Sequence, residues 1–227
     1  MAGPGRDPVE EAHGVIRFDP STDSGGDRSL RGPRKAALAV VIAAGKILFL
    51  AAFLPAARTC NDTLVPAWGF VEADGSFLVP PHVFGLLAAI AGLLLWWRWE
   101  ARMRALEVAL VVLALLGSLA LACFFFFSLA NVGGVALAAL CLALVVSLFA
   151  RGLGGRRRAA RALVVMGLDC TIWYFFWIVL FSLTDDGEDA ILYGTYVAAG
   201  ASVLLFASAR RLEGTIRRWR PTPPGGA

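Results

Sequence analysis

Apolar residues gather into six runs along this chain, at about 36–57, 82–99, 105–127, 132–150, 161–183 and 190–209, parted by short stretches rich in Arg, Asp, Gly and Pro. A helix rises 1.5 Å per residue, so each run is close to the roughly 20 residues that cross a hydrocarbon core of about 30 Å. Lipid offers no water to unpaired backbone groups, which restricts spans to helices and closed barrels. These runs lack the apolar–polar alternation of barrel strands. The pattern predicts an all-α fold, a polytopic six-helix transmembrane bundle occupying residues 34–211.

Residues 1–33 are rich in Gly, Pro, Asp and Arg and bury too little apolar surface to order themselves, so they are expected to form a disordered cytoplasmic tail. The first run begins too late for a signal peptide and is expected to be an uncleaved anchor. Residues 212–227 read as a basic, Pro/Gly-rich cytoplasmic tail. Within it Arg217-Arg218-Trp219-Arg220 either continues the sixth helix or lies along the inner leaflet.

Orientation follows from Lys and Arg in the connections, since the basic side stays in the cytoplasm. The two ends, the second connection and the fourth together hold nineteen, among them Arg98, Arg102, Arg104, Arg151, Arg156, Arg157 and Arg158. The opposite side holds Arg58 alone, together with Asp62, Glu72, Asp74, Asp185, Asp186, Glu188 and Asp189. Both termini are therefore expected to be cytoplasmic, as an even number of spans requires. In the first outer connection, Ala73-Asp74-Gly75 between Trp68–Glu72 and Ser76–Val79 suits a short β-hairpin. An irregular loop with its aromatics in the headgroup zone fits equally well.

Composition agrees with a bilayer. Of 227 residues, 58% are apolar and 17% charged, and mean hydropathy is +0.70. That is more apolar surface than a soluble domain of this size would bury. A net charge of +4 does not point to nucleic acid, because the arginines follow the topology and no basic face alternates with stacking aromatics. The expected partners are the bilayer itself and a membrane protein or second copy. The Ala, Arg and Gly bias suits a GC-rich bacterial genome and a plasma-membrane location.

Lipid tails are as apolar as leucine, so small residues must let the helices approach. Three stripes offer this: Ala114, Ser118 and Ala122; Ala139, Ala143 and Ser147; and Gly194, Ala198 and Ser202. Packing within the chain is the first reading of each, contact with another copy the second.

Two charges stand inside the runs. Lys46 lies about ten residues into the first span, near the midplane, and Asp169 about eight into the fifth, at similar depth. An unpaired charge there costs about 2.5–3.5 kcal/mol on insertion scales. A Lys46–Asp169 ion pair, or a neutral hydrogen-bonded version of it, is therefore expected, either fixing helix register or lining a polar cavity; the remaining alternative is no contact, with burial suppressing the charge on Lys46. Cys170 and Thr171 are expected to point away from Asp169, and Trp173 to share its face.

Other chemistry is sparse. Cys123, Cys141 and Cys170 lie in apolar runs as small hydrophobes, leaving Cys60 without a disulfide partner on the outer side. His82, after two prolines, is expected at the interface. No spacing suits a metal, a phosphate loop or a serine–histidine dyad, and the acidic outer turn lacks calcium-loop spacing. The expectation is a protein without cofactor or metal that is not an enzyme. A structural or accessory role in the membrane is the first reading; a small transporter or channel-like protein using Lys46 and Asp169 is the alternative.

Overall fold

A computed structural model describes residues 24–58, 64–66, 79–97, 104–128, 132–149, 155–183 and 193–218. Among them are six α-helices: α1 (Ser24–Leu50), α2 (Val79–Trp97), α3 (Arg104–Ser128), α4 (Val132–Leu148), α5 (Gly155–Ser182) and α6 (Tyr193–Arg218). Three stretches, Gly32–Phe53, Arg104–Phe127 and Gly155–Leu180, are long and apolar enough to cross a membrane, while Pro81–Trp97 and Gly133–Leu148 are apolar but shorter. Large hydrophobic side chains such as Leu93, Val108, Leu116, Phe127 and Val146 stand exposed around the bundle. This arrangement is that of an integral membrane protein, for which lipid covers such surface.

Helix ends differ from the expected ones for local reasons. The first helix ends at Leu50, followed by a 3-10 turn over Ala51–Phe53, instead of running to about 57. Leu54 is extended (φ −82°, ψ 151°) because the ring of Pro55 disfavours a helical residue before it. At the basic ends the helices run longer than the apolar runs. The first starts at Ser24, within the stretch expected to be a tail, the fifth starts at Gly155, and the sixth reaches Arg218. Arg and Leu are good helix formers, and extending a helix is far cheaper than nucleating one. Pro80 and Pro81 sit in the first turn of α2, where a missing N–H matters little.

The first connection contains a two-stranded antiparallel sheet of Pro55–Arg58 (β1) and Leu64–Pro66 (β2). It lies earlier than the hairpin expected around Asp74-Gly75, whose residues 67–78 fall outside those described.

Helix α5 is the centre of the bundle. Every residue from Ala162 to Gly167 is buried, and α5 packs on α6 and α3 while α1 packs on α2 and α6. Glycine sets the closest approaches. A Cβ on Gly45 would lie 2.5 Å from the Gly85 carbonyl oxygen and 2.8 Å from the Ala89 nitrogen, and one on Gly167 would lie 2.8 Å from the Phe206 nitrogen. Two expected stripes are buried, Ala114–Ser118–Ala122 and Gly194–Ala198–Ser202. The third is corrected: Ala139 and Ala143 are exposed, and α4 turns Ala138, Cys141 and Leu148 inward instead. Alanines recur all round α4, so spacing alone does not select its inner face.

Backbone atoms cannot swing aside as side chains do, so Gly45→Ala and Gly167→Ala should each cost about 1–3 kcal/mol of stability in detergent. Gly200→Ala, whose methyl would meet nothing within 4 Å, should be neutral or gain up to about 1 kcal/mol. Thermal unfolding of the three purified variants checks this; equal losses at all three would remove close approach as the cause.

Candidate functional site

Asp169 stands at the middle of the 28-residue α5, about 20 Å from either end at 1.5 Å per residue. Its relative exposure is 1%. Ser118 on α3 donates its hydroxyl proton to Oδ2 at 2.6 Å, while Oδ1 is buried without a hydrogen-bond partner. A buried polar atom left unmet costs about 1–3 kcal/mol, more when charged, so half of this carboxylate is an open requirement.

It borders a cavity of ≈ 320 Å³. Asp169, Cys170 and Trp173 of α5 face it, with Pro81 and Phe84 from α2 and the stretch of α3 from Leu116 to Phe124. The gap exists because α2 leans tightly on α1 and touches α3 only lightly. Gly117 keeps it narrow on one side, since a Cβ there would lie 2.7 Å from the Phe84 ring. Trp173 packs edge-on against Phe124 with ring centroids 4.9 Å apart, and its indole Nε1 is also buried without a hydrogen-bond partner. The cavity is thus greasy and aromatic, with two unmet polar atoms on the residues around it.

The structure does not bring Lys46 to Asp169. Lys46 is exposed on α1, and Asp169 has Ser118 on one oxygen and nothing on the other. Lys46 lies one turn before the end of α1 at Leu50, on the face turned away from the bundle. Trp173 does share the surroundings of Asp169, as its spacing suggested. Cys170 does too, against expectation: it borders the same cavity, and its thiol points at the Pro81 carbonyl at 3.7 Å. Thr171 turns away, donating to the Gly167 carbonyl at 2.8 Å and lying 3.2 Å from the Ser202 hydroxyl.

His82, in the first turn of α2, is packed inside the protein and only 2% exposed. Its Nδ1 lies 2.6 Å from the Leu48 carbonyl, which can only accept, so Nδ1 carries the proton. Nε2 then accepts from the Tyr174 hydroxyl at 2.9 Å. This chain ties α1, α2 and α5 together just behind Pro81, with every polar atom of the imidazole met.

A second buried acid, Glu213, is clothed differently. Arg161 donates Nε at 2.8 Å and also Nη2 to its Oε1. Arg157 Nε is 3.9 Å from the same oxygen and Arg210 Nη1 3.6 Å from Oε2. Arg157 and Arg161 thus pin the start of α5 to the far part of α6, while Arg210 adds a third guanidinium from α6 itself and Oε2 keeps no hydrogen bond. Residue 213 lay beyond the expected end of the sixth span and carried no signal on its own. Among the described residues no group of His, Cys, Asp and Glu is placed to hold a metal ion.

Because Ser118 supplies the only side-chain hydrogen bond to Asp169 among the described residues, Ser118→Ala should cost about 1–3 kcal/mol of stability. In an Asp169→Leu background, with no carboxylate left to satisfy, the same change should cost much less, and the four melting curves measure the difference. Comparison of the chain with protein-family models, with curated proteins and with solved structures finds no match.

Proposed function

We propose that this chain is a six-span membrane protein with both ends in the cytoplasm, which binds a small solute at Asp169 and moves it, in the manner of a small transporter. The observation that carries the reading is the Oδ1 atom of Asp169, buried at mid-helix on a residue that borders a cavity and without a hydrogen-bond partner among the described residues. An acid within a span is expensive to keep and marks a pathway by default. The volume falls in the range of ligand pockets, and greasy walls with few polar groups are their usual lining. The loose α2–α3 contact leaves room for the two sides of the cavity to shift. The nineteen-to-one division of basic residues supports the sidedness.

An accessory role explains the Ser118–Asp169 bond as a register pin between α3 and α5. It leaves the unmet oxygen and the space beside it without purpose, so transport is the better account.

Dicyclohexylcarbodiimide, an apolar carboxyl reagent, should modify Asp169 in vesicles; mass spectrometry should find the adduct there and lose it in Asp169→Asn. A wild-type protein that stays unmodified would mean a sealed carboxylate and no ligand site. For the topology, Leu153→Cys should resist a membrane-impermeant maleimide added to intact cells, and Gly187→Cys should react, both in a background lacking Cys60. The reverse pattern would invert the sidedness.

A further inference from the structure

We infer that the ligand of the Asp169 cavity is a lipophilic organic cation, an amine with an apolar aromatic or alkyl body, which arrives sideways from the bilayer between α2 and α3. The inference rests on the reading of this cavity as a ligand site and gives the class of molecule it takes.

Charge comes first. Oδ1 of Asp169 has no hydrogen-bond partner among the described residues; as a carboxylic acid it requires a base to take its proton, and once ionised it requires a positive charge beside it. Lys46 faces outward, and the arginines at the start of α5 and the end of α6 surround Glu213, about 12 Å or more along α5 from Asp169. An anion would find no positive charge beside Asp169 in either form and is excluded. A bare metal cation needs several oxygen ligands, and the cavity offers one carboxylate among apolar groups. An ammonium needs only one acceptor.

The walls suit the remainder of such a molecule. Phe84, Phe124 and Trp173 border the space, and aromatic faces attract cations most strongly where water is absent. Apolar substituents on the nitrogen would lie against Leu116 and Leu121.

The mouth gives the route. Leu116 and Ala120 border the cavity yet are exposed, so it opens on the outer surface of α3. Both lie near the middle of that 25-residue helix, and so at mid-bilayer depth and not at either water face. A molecule arriving there must already dissolve in hydrocarbon, as an amine does in its neutral form. It takes up the proton of the acid when it meets Asp169, leaving an ammonium–carboxylate pair.

The test uses the full-length protein in lipid nanodiscs and reads protection of Asp169 from dicyclohexylcarbodiimide. Three probes share one body: dimethyl(phenylbutyl)amine, the hydrocarbon in which carbon replaces its nitrogen, and phenylbutanoate. The amine should protect at concentrations about tenfold or more below the hydrocarbon, and phenylbutanoate should not protect. Equal protection by amine and hydrocarbon would leave a ligand cavity standing and overturn the cationic class. Protection by none of the three, with Asp169 still reactive, would also overturn it. Failure of the reagent to modify Asp169 at all would remove the cavity reading beneath it. Ala120→Phe, an exposed change at the mouth that should leave melting unchanged, should slow modification and weaken protection by the amine; if neither moves, access does not run between α2 and α3.

Discussion

A carboxylate held at the middle of an apolar bundle with only half of its hydrogen-bonding capacity used is the constraint from which the rest of this molecule follows. Low dielectric makes an unmet polar atom costly, and the chain places Asp169 on its most buried helix. It then surrounds the acid with Ser118, aromatic rings and open space, not with a cation. Glu213, on the neighbouring helix, also keeps one buried oxygen, Oε2, without a hydrogen bond, but three arginines lie within 4 Å of its carboxylate and balance its charge. The contrast separates two kinds of buried acid: one is joined by arginines across two helices, the other has no cation beside it among the described residues and borders a cavity.

The open space is a consequence of where the helices touch closely. Gly45 and Gly85 draw α1 and α2 together, and Gly167 draws α5 onto α6. With α2 committed to α1, it touches α3 only lightly, and a cavity remains beside the buried flank of α5 that carries Asp169, Cys170 and Trp173. Packing through small residues, the main glue available when lipid removes the hydrophobic drive, thus decides both which interfaces close and which one stays ajar. The His82–Tyr174 chain and the Glu213 cluster hold α5 firmly behind and below that gap.

Much of this was legible in the sequence, in proportion to how local the cause is. The positions of the helices followed from the apolar runs because hydrocarbon thickness sets their length. Asp169 was visible as a lone acid within such a run, and Trp173 followed one turn later. Lys46 was equally visible, but the face of α1 on which it lies, outward and away from α5, depends on how the helices pack and not on its spacing. Ser118 was out of reach: its partner lies 51 residues away, and nothing in either segment announces the other. The partners of His82 were out of reach for the same reason, since Tyr174 comes from α5 and the Leu48 carbonyl from α1. The inner face of α4 was hidden because that helix is apolar all round, so the choice belongs to its neighbours.

The account turns on the chain itself leaving Asp169 uncompensated. The most direct measurement is the coupling energy between Lys46→Gln and Asp169→Asn, from unfolding of the two single variants, the double variant and the parent in the same detergent. The account predicts additive effects, with a coupling within about 0.5 kcal/mol of zero. A coupling above about 1 kcal/mol in favour of the parent pair would mean that Lys46 neutralises Asp169, and the acid would then be a structural charge and not a ligand's counter-ion.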